Sequence, residues 1–422
     1  MDLIEELKAR RSFHQCSDEE GLRRALSSGR VVGYIGFDPT ASSLHLGSLV
    51  QIVLLDRLRR AGHSPIALVG GGTGLIGDPS GKTSERAMLS NEALDGYLAG
   101  IRSQLERYLD GVTLVDNRGW LGSVGLIEFL RDVGKHFSVN AMVQRDSVKN
   151  RLEQREHGIS YTEFSYMLLQ AYDFLALHDR YGCTLQMGGS DQWGNIVSGI
   201  DLVRRARGAE CFALTAPLLT RADGGKFGKT EQGTVWLDPA MTSPYELYQF
   251  LLNSADADVE GYLLRLTFEA LDAVREVMEA QSQNPGARAA QHLLADSLTR
   301  YLHGDVGLAS AKRATAALFG DVDLEALTVD EQRAAFRGAP TSEIPRAALG
   351  TPEASLVSWL ASTELFKSKT EARAAVEKGA ASVNKRPVTD ARRVLTGDDV
   401  LPSGFIVLRK GRKSYHALRV TD

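Results

Sequence analysis

Residues 31–62 constrain the fold more than any other stretch. Val31 to Phe37 is apolar, β-branched and aromatic, broken only by Gly33 and Gly36, the pattern of a buried strand. Pro39 cannot donate a ladder hydrogen bond, so the strand ends there. From Leu46 the leucines, Ile52 and Val53 recur at helical spacing, Arg57, Arg59 and Arg60 gather near the end, and Gly62 stops the helix. Asp38, Thr40 and His45 therefore occupy a strand-to-helix turn. Backbone N–H groups at such a helix start attract anions. His45 and Thr40 add side-chain donors, and Gly47 lets a ligand approach the backbone closely. The turn reads as a phosphate cradle.

The rest of the first half repeats the pattern. Strands are expected at Pro65–Val69, Thr113–Val115, Leu185–Met187 and Cys211–Leu219, with helices between them. Gly72, Gly74 and Gly77 fit a dinucleotide fingerprint, but Pro79 and Gly81 follow at once and no helix can open there. Gly77 to Thr83 is one residue short of a phosphate-binding P-loop. On the helix from Tyr161 to Leu177, Tyr166, Gln170 and Asp173 share one face among apolar neighbours, as a pocket lining would. Gly189, Asp191 and Gln192 follow a strand, where α/β sheets bind ligands. Thr220 to Gly233 is a glycine-rich, lysine-bearing loop, apolar only at Phe227.

After Pro239 the pattern is helical to Leu318. Residues 321–354 are punctuated by Gly338, Pro340, Pro345, Gly350 and Pro352 and read as a linker with little core. Order resumes from Leu356. Charge separates these regions. The whole chain carries 49 Lys/Arg against 53 Asp/Glu, a net −4, but residues 356–422 hold 13 against 7, a net +6. A basic tail on an acidic body suggests a nucleic-acid module. Cys16, Cys183 and Cys211 form no C-x-x-C pair, which argues against a disulfide framework and a structural zinc. Met1 to Arg11 has no apolar core and no run reaches membrane-spanning length, so a cytoplasmic protein without a membrane role is expected.

His45-Leu46-Gly47-Ser48 resembles the His-x-Gly-His signature of class I aminoacyl-tRNA synthetases, with Ser48 in place of the second histidine. Lys226-Phe227-Gly228-Lys229-Thr230, about 180 residues on, resembles their lysine-rich signature. Tyr34 to Leu49 resembles the bacterial tyrosyl enzymes in particular, and the likeness extends over nearly the whole chain. It implies an α/β fold: a Rossmann-like parallel-sheet catalytic domain with a connecting insertion (1–219), a signature loop and all-α anticodon-side domain (220–320), the linker (321–354), and a small α+β RNA-binding domain (355–422).

The implied activity is a tyrosine–tRNA ligation, with ATP and Mg2+ as the substrate complex and no tightly bound metal or organic cofactor. L-tyrosine becomes tyrosyl-adenylate with release of pyrophosphate, and the tyrosyl group passes to the terminal adenosine of tRNA(Tyr). By resemblance, Tyr34 and Asp173 hold the phenol, and Asp78, Tyr166 and Gln170 the ammonium. Gln192 and Asp38 stand near the reacting groups. Gly47 sits beneath ATP, and Gly189 and Asp191 contact its ribose. Thr40, His45, Ser48, Lys82, Arg86, Lys226, Lys229 and Thr230 are assigned to the phosphates. Ser368 to Asn384 is similar to a small RNA-binding fold of a ribosomal protein, with Arg373, Lys378, Lys385 and Arg386 towards RNA. A homodimer is implied by the family alone.

Overall fold

A computed structural model describes residues 1–80, 89–145, 148–149, 152, 158–230, 233–320, 322–337, 339–411 and 414–422. Lys82 and Arg86 lie outside these residues, as does the side chain of Thr230. Contacts divide the chain into two compact units, 1–241 with 255–294, and 242–254 with 295–422. The helical stretch after Pro239 is thus shared between the units, whereas the sequence suggested a boundary at 220.

The first unit is built on a sheet of β1 (Gln15–Cys16), β2 (Val32–Phe37), β3 (Ser64–Val69), β4 (Thr113–Asp116), β5 (Leu185–Gly189) and β6 (Phe212–Ala216). Their spatial order is β1-β6-β5-β2-β3-β4. The strands β2 to β6 run parallel, and β1 lies antiparallel on the edge of β6. At two residues, β1 is too short to show a period-two pattern, which is why the sequence did not reveal it. Chain order reverses between β2 and β5, and a parallel sheet opens a crevice at such a switch point.

The helix that leaves β2 starts later than its leucine pattern suggested. Leu46–Ser48 forms a tight 3-10 turn, and the α-helix proper is Leu49–Arg60. Leu49, Ile52, Val53, Leu55 and Leu58 are buried. Asp56 is buried as well, and accepts from Arg59 at 2.7 Å and Arg60 at 3.0 Å. These pairs stabilise the last turn, where cations also suit the helix dipole.

In the second unit, helix Pro244–Leu252 opens with a capping box between Ser243 and Glu246. Helix Ala289–Phe319, which runs from the first unit into the second, is kinked at Gly304, whose φ of 69° is a left-handed value. A five-stranded sheet follows, in the order Arg386–Pro387, Ala381–Val383, Phe405–Lys410, Ser414–Thr421, Thr341–Pro345.

This sheet corrects the reading of 321–354 as a linker with little core. Thr341–Pro345 pairs in parallel with the last strand of the chain, and Ile344 is fully buried. Helix Val329–Arg337 buries Phe336, and Leu324 and Leu327 join the same core. The prolines that suggested a linker stand at the borders of these short elements, where a missing N–H costs no ladder bond.

Candidate active site

A cavity of about 880 Å³ opens at the switch point between β2 and β5 in the first unit. It is lined by β2 and the turn after it, the Gly74–Asp78 loop, helix Tyr161–Tyr181, the start of the helix after β5, and Lys226 to Lys229. Tyr166, Gln170 and Asp173 all face it, as their spacing suggested.

Its inner end holds a phenol and a carboxylate. Tyr34 on β2 is 1% exposed, stands edge-on to Phe174 at 5.4 Å, and its hydroxyl has no hydrogen-bond partner among the described residues. Asp173, 2% exposed, accepts from Asn117 Nδ2 at 2.9 Å and from Trp120 Nε1 at 2.7 Å. Burial pushes the Asp173 carboxyl up to about 7, against the pull of those two donors, which favour its ionised form. Burial also raises the Tyr34 hydroxyl, and the Asp173 charge adds to it.

Asn117 links this end to the next group. Its Nδ2 also donates to Thr73 Oγ1 at 2.9 Å, and Thr73 donates to Asp38 Oδ1 at 3.3 Å. The Asn117 Oδ1 accepts from Gly72 N at 2.7 Å, which orients the amide. Sequence reasoning missed Asn117, Trp120, Thr73 and Gln186. The first two follow β4 directly, so the rule that pointed to Gly189 and Asp191 applied to them too. Gln186 sits opposite Tyr34 across the β2–β5 pairing and lines the cavity.

Five polar side chains converge further out. Tyr166 donates to Asp38 Oδ2 at 3.1 Å. Gln192 Nε2 donates to Asp78 Oδ2 at 2.8 Å, and Gln170 Nε2 to Gln192 Oε1 at 3.4 Å. The Gln170 Oε1 is buried without a hydrogen-bond partner among the described residues. Carboxylates of Asp38 and Asp78 with an open amide oxygen suit an ammonium group.

The mouth joins the two signatures. Leu46 N donates to Val235 O, Val235 N to Gly228 O and Leu237 N to Leu44 O, each at 2.9 Å. Gly228 has φ 79°, and a Cβ there would stand 3.0 Å from the Leu46 Cβ. At Gly47 a Cβ would meet the His45 ring at 2.9 Å, so only glycine leaves that ring in place. Thr40, His45, Ser48, Lys226 and Lys229 line the cavity, as does Asp191. Burial raises the Asp191 carboxyl, while Lys226 pulls it the other way. At Gly189 a Cβ would lie 2.5 Å from Asp191 Oδ1. Ser48 N donates to His45 O at 2.8 Å, closing the turn.

The cations expected to face RNA lie in the second unit and differ in state. Arg373 and Lys378 are exposed, on and just after helix Lys369–Glu377. Lys385 instead donates to the carbonyls of Gly320 at 2.7 Å and Val322 at 2.5 Å, and Arg386 pairs with Glu325 at 2.9 Å.

Residues 27–320 match the family described as tRNA synthetases class I (W and Y). The chain belongs to that family. Residues 334–418 match the tyrosine–tRNA ligase SYY-like C-terminal domain. The tyrosine–tRNA ligase of Aliivibrio salmonicida is 47% identical over 422 residues, covering 98% of each chain. That of Bacillus caldotenax is 46% identical over 431 residues, covering 99% of this chain and 100% of that one. A C-terminally truncated mitochondrial tyrosyl-tRNA synthetase from Aspergillus nidulans has a TM-score of 0.68 at 32% identity, over 75% of this chain and 94% of its own. A tryptophanyl-tRNA synthetase from Plasmodium falciparum shares the fold, with a TM-score of 0.54 at 15% identity over 78% of this chain and 87% of its own.

Proposed function

We propose that this chain, a tyrosine–tRNA ligase, performs both of its steps in this cavity through the residues just described. The observation that carries the assignment is that the buried Tyr34 hydroxyl beside Asp173 has no hydrogen-bond partner among the described residues. A buried polar atom without a partner costs stability unless a ligand completes it. A substrate phenol donates to Asp173 and accepts from Tyr34. The α-ammonium sits among Asp78, Tyr166 and Gln170, with Asp38 and Gln192 holding them. That pose places the substrate carboxylate towards the mouth.

There the carboxylate attacks the α-phosphorus of ATP, bound with Mg2+, and pyrophosphate leaves. Thr40, His45, Ser48, Lys82, Arg86, Lys226, Lys229 and Thr230 stabilise the charge that moves onto the leaving oxygens. Gly47 lies beneath the nucleotide, and Gly189 and Asp191 bind its ribose. A hydroxyl of the terminal adenosine of tRNA(Tyr) then attacks the acyl carbon, and AMP leaves. No protein nucleophile is needed; positioning and charge stabilisation carry the rate. The 220–320 segment faces the anticodon side of the tRNA and 355–422 binds RNA. The chain works in the cytoplasm as a homodimer. Exposed Leu126, Ile127, Val139 and Tyr161, which gather within 126–161, support a paired surface.

The test is ATP–pyrophosphate exchange without tRNA, comparing tyrosine, phenylalanine and tryptophan. Exchange with tyrosine alone is expected, and exchange equal with all three would overturn the phenol pocket.

Two further results are expected. Asp173 rests near pH 7 in the free protein, and a phenol donor favours its ionised form. Tyrosine affinity therefore rises with pH through about 7, approaching a tenfold gain per unit below that point. Asn117→Ala removes a donor to the carboxylate and moves the midpoint upward. Calorimetric titration between pH 5.5 and 8 decides this, and a flat profile in the parent protein would refute the role of Asp173. For RNA, Arg373→Ala reduces the slope of log K against log salt by about one, as loss of one phosphate contact does. Lys385→Ala instead lowers the melting temperature, since its ammonium holds the 320–322 carbonyls. Equal salt slopes for parent and Arg373→Ala would remove Arg373 from the RNA surface.

A further inference from the structure

The helix Asp256–Leu266 contributes nothing to the cavity lining, yet it holds the lysine loop at two points. Ala222 N, ahead of the first lysine, donates to Asp258 Oδ1 at 2.7 Å. Phe227, between Lys226 and Gly228, is 5% exposed, and its ring centroid lies 4.4 Å from that of Tyr262. Asp258 and Tyr262 are four residues apart, so one helix face carries both holds. The segment between the holds is braced internally. Arg221 N donates to Gly225 O at 2.8 Å, Gly224 N to Arg221 O at 2.9 Å, and Gly225 N to Asp223 Oδ1 at 2.9 Å.

The same helix is tied to the other signature. It packs against Leu49–Arg60, the helix that His45 and Gly47 lead into. Arg57 of that helix is buried, donates to Thr267 O at 2.5 Å and to Leu264 O at 3.5 Å, and pairs with Glu6 at 2.5 Å. The end of Asp256–Leu266 is thereby fixed to the frame that carries His45.

We propose that Asp258 and Tyr262 are positioning residues for Lys226 and Lys229, setting the distance between the two signatures through this helix. The inference rests on the phosphate role given above to those lysines. Both lysines flank or follow the Phe227 anchor and line the cavity mouth. A loop released at Phe227 keeps its charges but samples positions away from the leaving phosphate. Such a loss appears in the turnover of the first step and in ATP, while the tyrosine pocket is untouched.

The experiment compares Tyr262→Ala, Tyr262→Phe, Asp258→Ala and Asp258→Asn with the parent protein. In pyrophosphate exchange, Tyr262→Ala is expected to lower kcat about tenfold, the scale of a lost aromatic pair, with KM for ATP raised and KM for tyrosine within about twofold. Tyr262→Phe keeps the ring and restores the rate. Asp258 lies near the surface, so Asp258→Ala leaves the fold intact and falls in the same direction; Asp258→Asn retains an accepting oxygen and stays near the parent. A second readout needs no activity: trypsin cleavage after Arg221, Lys226 and Lys229, followed by mass spectrometry without substrates, is faster in both alanine variants. Unchanged cleavage in the two alanine variants overturns the proposal. So does a fall in which KM for tyrosine and melting temperature move with kcat, because that reports general damage. Were the parent protein to show no tyrosine-dependent exchange, the functional reading would fail, and cleavage alone would still decide whether this helix seats the loop.

Discussion

Replacing Lys229 with alanine is expected to slow tyrosyl-adenylate formation by about 10²–10³-fold, the usual cost of removing one donor aimed at developing charge. Tyrosine affinity should stay within about twofold. The separation follows from geometry. Lys229 stands at the mouth, where the signature strand Lys229–Thr230 pairs with Gly233–Thr234, while Tyr34 and Asp173 are buried. Charge moves onto the leaving pyrophosphate only as the bond to the α-phosphorus breaks, so an ammonium there acts on the transition state more than on the bound substrate. Single-turnover adenylate formation beside equilibrium tyrosine binding reads the two quantities apart. Comparable losses in both would show that Lys229 serves ground-state binding.

Asp173→Asn is expected to collapse the preference for tyrosine over phenylalanine. Both carboxylate oxygens of Asp173 already accept protein donors, from Asn117 and from Trp120. An asparagine can offer an oxygen to only one of them, and its NH2 must face the other. The phenol then loses its acceptor, and the pocket gains a buried donor clash costing about 1–3 kcal/mol. Tyrosine kcat/KM should fall at least about 100-fold, from the loss of a buried charged hydrogen bond and its orientation. Phenylalanine, which never paired with Asp173, changes little. In the parent protein phenylalanine is expected to bring no donor to Asp173 and to leave the Tyr34 hydroxyl without an acceptor, and tyrosyl-tRNA synthetases are the standing example of rejection by this means. Exchange assays with both amino acids measure the ratio; a ratio kept in the variant would place phenol recognition elsewhere.

Lys229 and Asp173 are legible in the sequence for different reasons. Lys229 stands in a short motif readable without any fold. Asp173 is legible through helical spacing, because three polar side chains on one face of an otherwise apolar helix need a polar place to point. Asn117 and Trp120 had neither signal. They follow a strand of four residues, and their bonds to Asp173 join positions more than fifty residues apart. The sequence of 321–354 misleads for a related reason. Its prolines and glycines are real breaks, but they separate elements only three to nine residues long, too short for a periodic pattern to outweigh the breakers.

What the sequence determined by itself was local: the strand, turn and helix of 31–62, the lysine loop, the polar face of Tyr161–Leu177, and the basic tail. The first three depend on residues close in sequence, where backbone sterics and side-chain period act directly, and the tail on its count of charges alone. The tertiary structure alone decided which carboxylate is buried to a pKa near 7, that Lys385 caps protein carbonyls, and that Asp256–Leu266 seats the lysine loop. Those outcomes depend on desolvation and on pairings between distant segments, and neither exists until the chain has packed.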